Sequence, residues 1–125
     1  MIAQRQFYPG RAPIDAYGNG GFRFADMSHR GGLLLLPSGV YGWGAVDPAT
    51  LDAASFAPVL AERAQIEFLL LGTGATQVFP PPTLRRACEE AGLGLEVMNT
   101  GAAARTYNVL LAEKRAVAAA LMAVP

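Results

Sequence analysis

At 125 residues the chain suits one domain whose single core buries roughly two-thirds of the surface exposed on unfolding. Hydrophobic residues make up 52% and charged residues 16%, which excludes a disordered chain, and ten basic residues cancel ten acidic ones without a Lys/Arg cluster, which excludes the footprint of a nucleic-acid binder. The single cysteine, Cys88, excludes a disulfide framework and a multi-cysteine zinc site and fits a reducing compartment.

Residues 1–12 show no clear period and read as a flexible arm ahead of a domain over 13–125. They lack the apolar stretch of a secretory signal, and the longest aliphatic run, 33–36, is too short to span a bilayer, so a cytoplasmic protein without membrane insertion is expected. From 13 to 43 the pattern is β, with runs at 14–17, 22–24, 32–36 and 40–43 joined into two hairpins by a Gly18-Asn19-Gly20-Gly21 turn and a Pro37-Ser38-Gly39 turn. Asp47-Pro48 opens a short helical turn to Leu51, and Ser55 is placed as the cap of a helix ending near Ala64.

The run 66–71 has the near-continuous apolar character of a strand covered on both faces. A helix over 83–91 carries Leu84, Ala87, Cys88 and Ala91 on one stripe and stops at Gly92. Another strand covers 95–98, and Thr100 is placed as the cap of a helix to Glu113 with Ala104, Tyr107 and Leu111 facing the core. The alanine-rich tail 116–122 is assigned as a final strand because it follows two strand-helix units. The sum is a single α/β domain, a mixed β-sheet with antiparallel N-terminal hairpins and a C-terminal β-α-β-α-β unit.

Together, Phe68-Leu69-Leu70-Leu71-Gly72-Thr73-Gly74, Gly94-Leu95-Glu96-Val97-Met98-Asn99-Thr100 and Ala103-Ala104-Arg105-Thr106-Tyr107-Asn108, preceded by Ile14-Asp15-Ala16-Tyr17-Gly18 and Leu34-Leu35-Leu36-Pro37, resemble the Mth938-like domain family, DUF498. The resemblance spans residues 12–122. It implies a single α/β domain with a mixed sheet, supports the last strand, and implies an assembly role. Eukaryotic members of that family include a mitochondrial complex I assembly factor, and some bacterial members are encoded beside protein-export components. It brings no catalytic residues, and without a targeting peptide the chain looks like a bacterial member.

Two loops stand out as candidate ligand sites. Gly72-Thr73-Gly74 can present backbone N–H groups to an anion, or simply let the chain turn off its strand. A dinucleotide fingerprint fails there, because Gln77 stands where a third glycine is needed. Asn99-Thr100-Gly101 with Arg105 offers a helix start and a guanidinium to an anion, against an ordinary cap with Arg105 paired to a carboxylate. If the strands before them are parallel neighbours, both loops share one sheet edge.

Other residues read more plainly. Tyr41 and Trp43 are candidates for an interaction surface, with core packing as the rival reading. Tyr107 is expected to reach a backbone partner, Cys88 to be a packed small hydrophobe, and His29 to be solvated. No metal ligand set and no cofactor motif is present, and no catalytic constellation is complete. The first expectation is a non-enzymatic binding or assembly module with a protein partner. The alternative is a small-anion or nucleotide-like ligand protein, enzymatic or not, at the two Thr-Gly loops. A homodimer through an uncovered sheet edge is a third.

Overall fold

Leu33, Leu34, Leu35 and Leu36 are all buried, and because successive strand side chains point to opposite faces, a layer must cover each side of their sheet. The computed structural model describes residues 6–125 and meets that demand with a six-stranded mixed sheet. Its strands are β1 (Gln6–Tyr8), β5 (Gly32–Leu36), β6 (Gly39–Trp43), β7 (Phe68–Gly72), β8 (Gly94–Met98) and β9 (Val117–Leu121), in the order β1-β6-β5-β9-β7-β8. A separate antiparallel sheet holds β2 (Ala16–Gly18), β3 (Gly21–Phe24) and β4 (Met27–Arg30). The helices are α1 (Ala57–Ala61), α2 (Pro82–Glu90) and α3 (Thr100–Ala112).

Alternation sorts the core into two layers. Leu34, Leu36, Leu69, Leu71, Ala118 and Ala120 meet Phe56, Val59, Leu84 and Cys88 beneath α1 and α2. Leu33, Leu35, Leu70, Val117, Ala119 and Leu121 meet Phe22 and Phe24 of the small sheet and Ala103, Ala104 and Tyr107 of α3. The alanine-rich tail is indeed a strand, inserted between β5 and β7, with the small buried Ala119 turned toward α3 and Ala118 and Ala120 toward the layer of α1 and α2.

β7 is parallel to both β8 and β9, so all three strands end at the same edge of the sheet. The neighbouring parallel strands expected from the apolar runs are therefore present. The outward carbonyls of β8 are not bare: Gln77 Nε2 donates to Val97 O at 2.8 Å and Arg85 Nη1 to Leu95 O at 3.4 Å.

Several local expectations need correction. Residues 6–8, read as part of an arm, pair as β1 against β6, while residues 1–5 lie outside the described residues. β4 was not expected, because its turn, Ala25-Asp26, carries positive φ angles of 46° and 61° without the glycine or asparagine that usually signals them. The first hairpin does have that signal, Asn19-Gly20, at φ 51° and 80°. Asp52, not Ser55, caps the turn leading into α1; Ser55 supplies the returning half of a capping box. α1 then stops at Ala61, three residues short of the expected end.

Candidate functional site at the carboxyl edge of the sheet

The two Thr-Gly loops come together where β7, β8 and β9 end. Thr73 N donates to Met98 O at 3.0 Å, Thr100 N to Gly74 O at 2.9 Å, and Met122 N to Gly72 O at 2.9 Å. Thr100 is buried, and its Oγ1 accepts from Gly74 N at 2.9 Å while donating to Met122 O at 2.7 Å. One hydroxyl thus ties the end of β7 to the end of β9. Gly72 has no room for a side chain, since a Cβ there would stand 2.9 Å from Leu121 and 3.0 Å from Thr100. The Thr73 hydroxyl donates to Thr76 O and accepts from Val78 N, folding the loop back on itself.

The amides that an anion would need are largely committed. Asn99 is the helix cap in place of the expected Thr100, its Oδ1 accepting from Ala102 N at 2.8 Å while its carbonyl takes Ala103 N. With the Thr73, Gly74 and Thr100 amides also bonded, the loops serve chiefly as a junction between strands. Tyr17 then covers the start of α3: a Cβ on Gly101 would collide with the Tyr17 hydroxyl and stand 3.4 Å from Arg105 Nη1. Arg105 is exposed and has no carboxylate within ion-pair distance among the described residues. It borders a cavity of about 360 Å³ between β2 and α3, shared with Asp15, Tyr17 and Asn108. Asn108 pins that groove by donating to Ile14 O and accepting from Ile14 N.

The aromatic pair of β6 does not form an exposed surface. Trp43 is 5% exposed, packs on Phe56 with ring centroids 6.0 Å apart, and donates its indole N–H to Ser55 O. Tyr41 leans on the same core and bonds Ser38 Oγ at 2.6 Å. Trp43 is a core residue and Tyr41 is half-buried beside it, because their side of β6 faces α1 and the turns before it. The large exposed apolar residues lie elsewhere: Tyr17 at 42%, Val46 at 88%, Val78 at 38%, Phe79 at 68% and Val109 at 57%.

All but Val109 belong to the carboxyl edge. Val78 and Phe79 follow β7, and Tyr17 sits over the start of α3. Val46 follows β6, whose last residue Trp43 pairs with Gly32 beside the Leu33–Leu121 pair that ends β9. Around the Tyr17 side, the outer face of the small sheet sets Arg23 and Arg30 about a floor of Ala16, Gly18, Gly21 and Ser28, forming an open cleft of about 320 Å³.

Buried titratable groups are few. Burial pushes the Cys88 thiol up, with Arg85 pulling partly the other way. Tyr107, expected to reach a backbone partner, has a buried hydroxyl without a hydrogen-bond partner among the described residues, beside Arg11, whose Nη1 donates to Val117 O at 2.6 Å. Burial first, then partial relief by Arg11, leaves its pKa at about 12. His29 is half-buried and stacks on Phe7 at 4.6 Å rather than standing in solvent. Among the described residues no helix is long and apolar enough to cross a membrane.

A family model described as a protein of unknown function (DUF498/DUF598) matches residues 14–122. An uncharacterized protein of Rhodobacter capsulatus is 41% identical over 125 residues, all of this chain and 95% of that one. The mouse NADH dehydrogenase (ubiquinone) 1 alpha subcomplex assembly factor 3 is 30% identical over 118 residues, 94% of this chain but 64% of the mouse protein. Among solved structures, one from Bartonella henselae described as an outer membrane protein superposes with a TM-score of 0.90 at 55% identity, covering 94% of this chain and 99% of that one. A Mth938-like domain from Bordetella pertussis superposes with a TM-score of 0.77 at 29% identity, covering 98% of this chain and 92% of its own.

Proposed function

Because the chain belongs to the DUF498 family of Mth938-like domains, we propose that it is a non-enzymatic, assembly-factor-like protein that binds a protein partner through the carboxyl edge of its sheet. The observation that carries this reading is the gathering of Tyr17, Val46, Val78 and Phe79, four of the five exposed large apolar residues among those described, at that one edge. Exposed apolar side chains have the composition of protein interfaces, and around Tyr17 they are joined by Arg105, Arg23 and Arg30. The ligand reading of the same edge loses support from the committed amides at Thr73, Gly74, Thr100, Ala102 and Ala103. A reducing compartment suits the buried Cys88 thiol, and the reading keeps the protein cytoplasmic.

Affinity capture at native expression tests the proposal. The wild type recovers one defined partner, and the double variant Tyr17→Ser, Phe79→Ser, which leaves every buried core side chain in place, recovers at least tenfold less. Repeated recovery of no partner by the wild type, or equal recovery by the variant, overturns it.

A further inference from the structure

At the opposite end of α3, cations from two separate chain segments line one recess. Arg11, ahead of the small sheet, meets Lys114 and Arg115, just past the helix, around a cavity of about 380 Å³ floored by Leu111 and Ala116. Arg11 is held in place by its 2.6 Å bond to Val117 O. Arg115 lies 5.6 Å from the Phe68 ring centre and 3.6 Å from Glu67. Glu67 is the only carboxylate paired there among the described residues, so the recess keeps an excess of positive charge.

The ordinary explanation for cations after a helix is attraction to the free carbonyls of its last turn. Here two of those carbonyls are already taken by backbone: Lys114 N bonds Leu111 O and Arg115 N bonds Leu110 O. Nor does that explanation reach Arg11, which arrives from a segment more than a hundred residues away. Lys114 also occupies a position that costs something. Its φ is 58°, in the left-handed region, where α2 uses Gly92 at 77° for the corresponding turn. The Lys114 ammonium makes no ion pair or side-chain hydrogen bond among the described residues, which leaves that charge open to a ligand.

We infer that this recess binds a phosphate group, held by the Arg11 and Arg115 guanidiniums and the Lys114 ammonium. Guanidiniums offer paired N–H donors matched to phosphate oxygens, while lysine adds a compact charge. The group belongs either to a soluble phosphate ester or to a lipid headgroup. The site lies at the far end of α3 from the edge assigned to a partner and stands independently of that assignment.

An NMR titration of the full chain with inorganic phosphate, at ionic strength fixed with sodium chloride, tests it. The amides of residues 114–116 shift saturably, and Lys114→Gly weakens binding about tenfold through loss of one charge-assisted contact. The same variant melts a few degrees higher, roughly 4 °C, because glycine fits the left-handed turn, so lost binding there is not lost folding. Co-sedimentation with phosphatidylglycerol vesicles, but not phosphatidylcholine vesicles, assigns the group to a lipid; phosphate binding without it assigns a soluble ester. Shifts that chloride alone reproduces, or phosphate affinity unchanged in Lys114→Gly and Arg11→Gln, overturn the inference.

Discussion

Thr100 shows how far a single side chain was legible. The pairing of threonine with glycine after an apolar run marks the place where strands end, and both loops do share one edge. What the sequence did not reveal is the hydroxyl's destination, because its partners, Gly74 N and Met122 O, are 26 and 22 residues away in the chain. Capping passed instead to Asn99, an even better capping residue one position earlier. Thr100→Val keeps the shape but leaves a buried N–H and a buried C=O unpaired. A loss of about 2 to 4 kcal/mol in urea unfolding is expected, and a loss under 0.5 kcal/mol would remove Thr100 from the junction.

Tyr107 gives a second test at this scale. Its folded pKa is raised from 10.0 to about 12, so the unfolded chain ionises first as pH rises. The stability that the neutral phenol provides is complete below pH 10 and drains away between about pH 10 and 12. Wild type should therefore lose on the order of 2 to 3 kcal/mol relative to Tyr107→Phe across that window. At neutral pH the phenylalanine variant is at least as stable, since it removes a buried hydroxyl that has no partner among the described residues. Parallel pH profiles for the two proteins would contradict this.

Elements were readable where their signals are local. The stripe of α2, the Asn19-Gly20 hairpin and the apolar run of β7 each carry their own pattern, and each is present. β1 and β4 were illegible for a physical reason. Both are short strands whose identity comes from the partner they lie against, and the Ala25-Asp26 turn lacks the residues that advertise positive φ. The sealing of β8 was equally invisible, because Gln77 and Arg85 reach Val97 and Leu95 across 20 and 10 residues. An edge strand left bare invites pairing with another chain. Gln77→Ala with Arg85→Ala should thus introduce concentration-dependent association in sedimentation velocity that the wild type lacks. Identical sedimentation of the two would show that those side chains do not guard the edge.

At the scale of the whole molecule, the layout follows from the central sheet being covered on both sides. α1 and α2 lie under one face, while α3 and the small sheet lie over the other. That stacking covers the sheet's faces, and four of the five large exposed apolar residues among those described collect at the carboxyl edge. The edge itself was expected from the sequence; its occupant residues were not. Tyr17 reaches it only because the small sheet folds over the start of α3, and Trp43 leaves the surface because its side of β6 faces a helix layer.

A photo-crosslinking amino acid placed at Tyr17, compared with one at Arg86 on the exposed side of α2, tests the central claim directly in cells at native expression. One discrete crosslinked protein is expected from position 17 and none from position 86. Crosslinks of equal yield from both positions, or a product from position 86 alone, would contradict it.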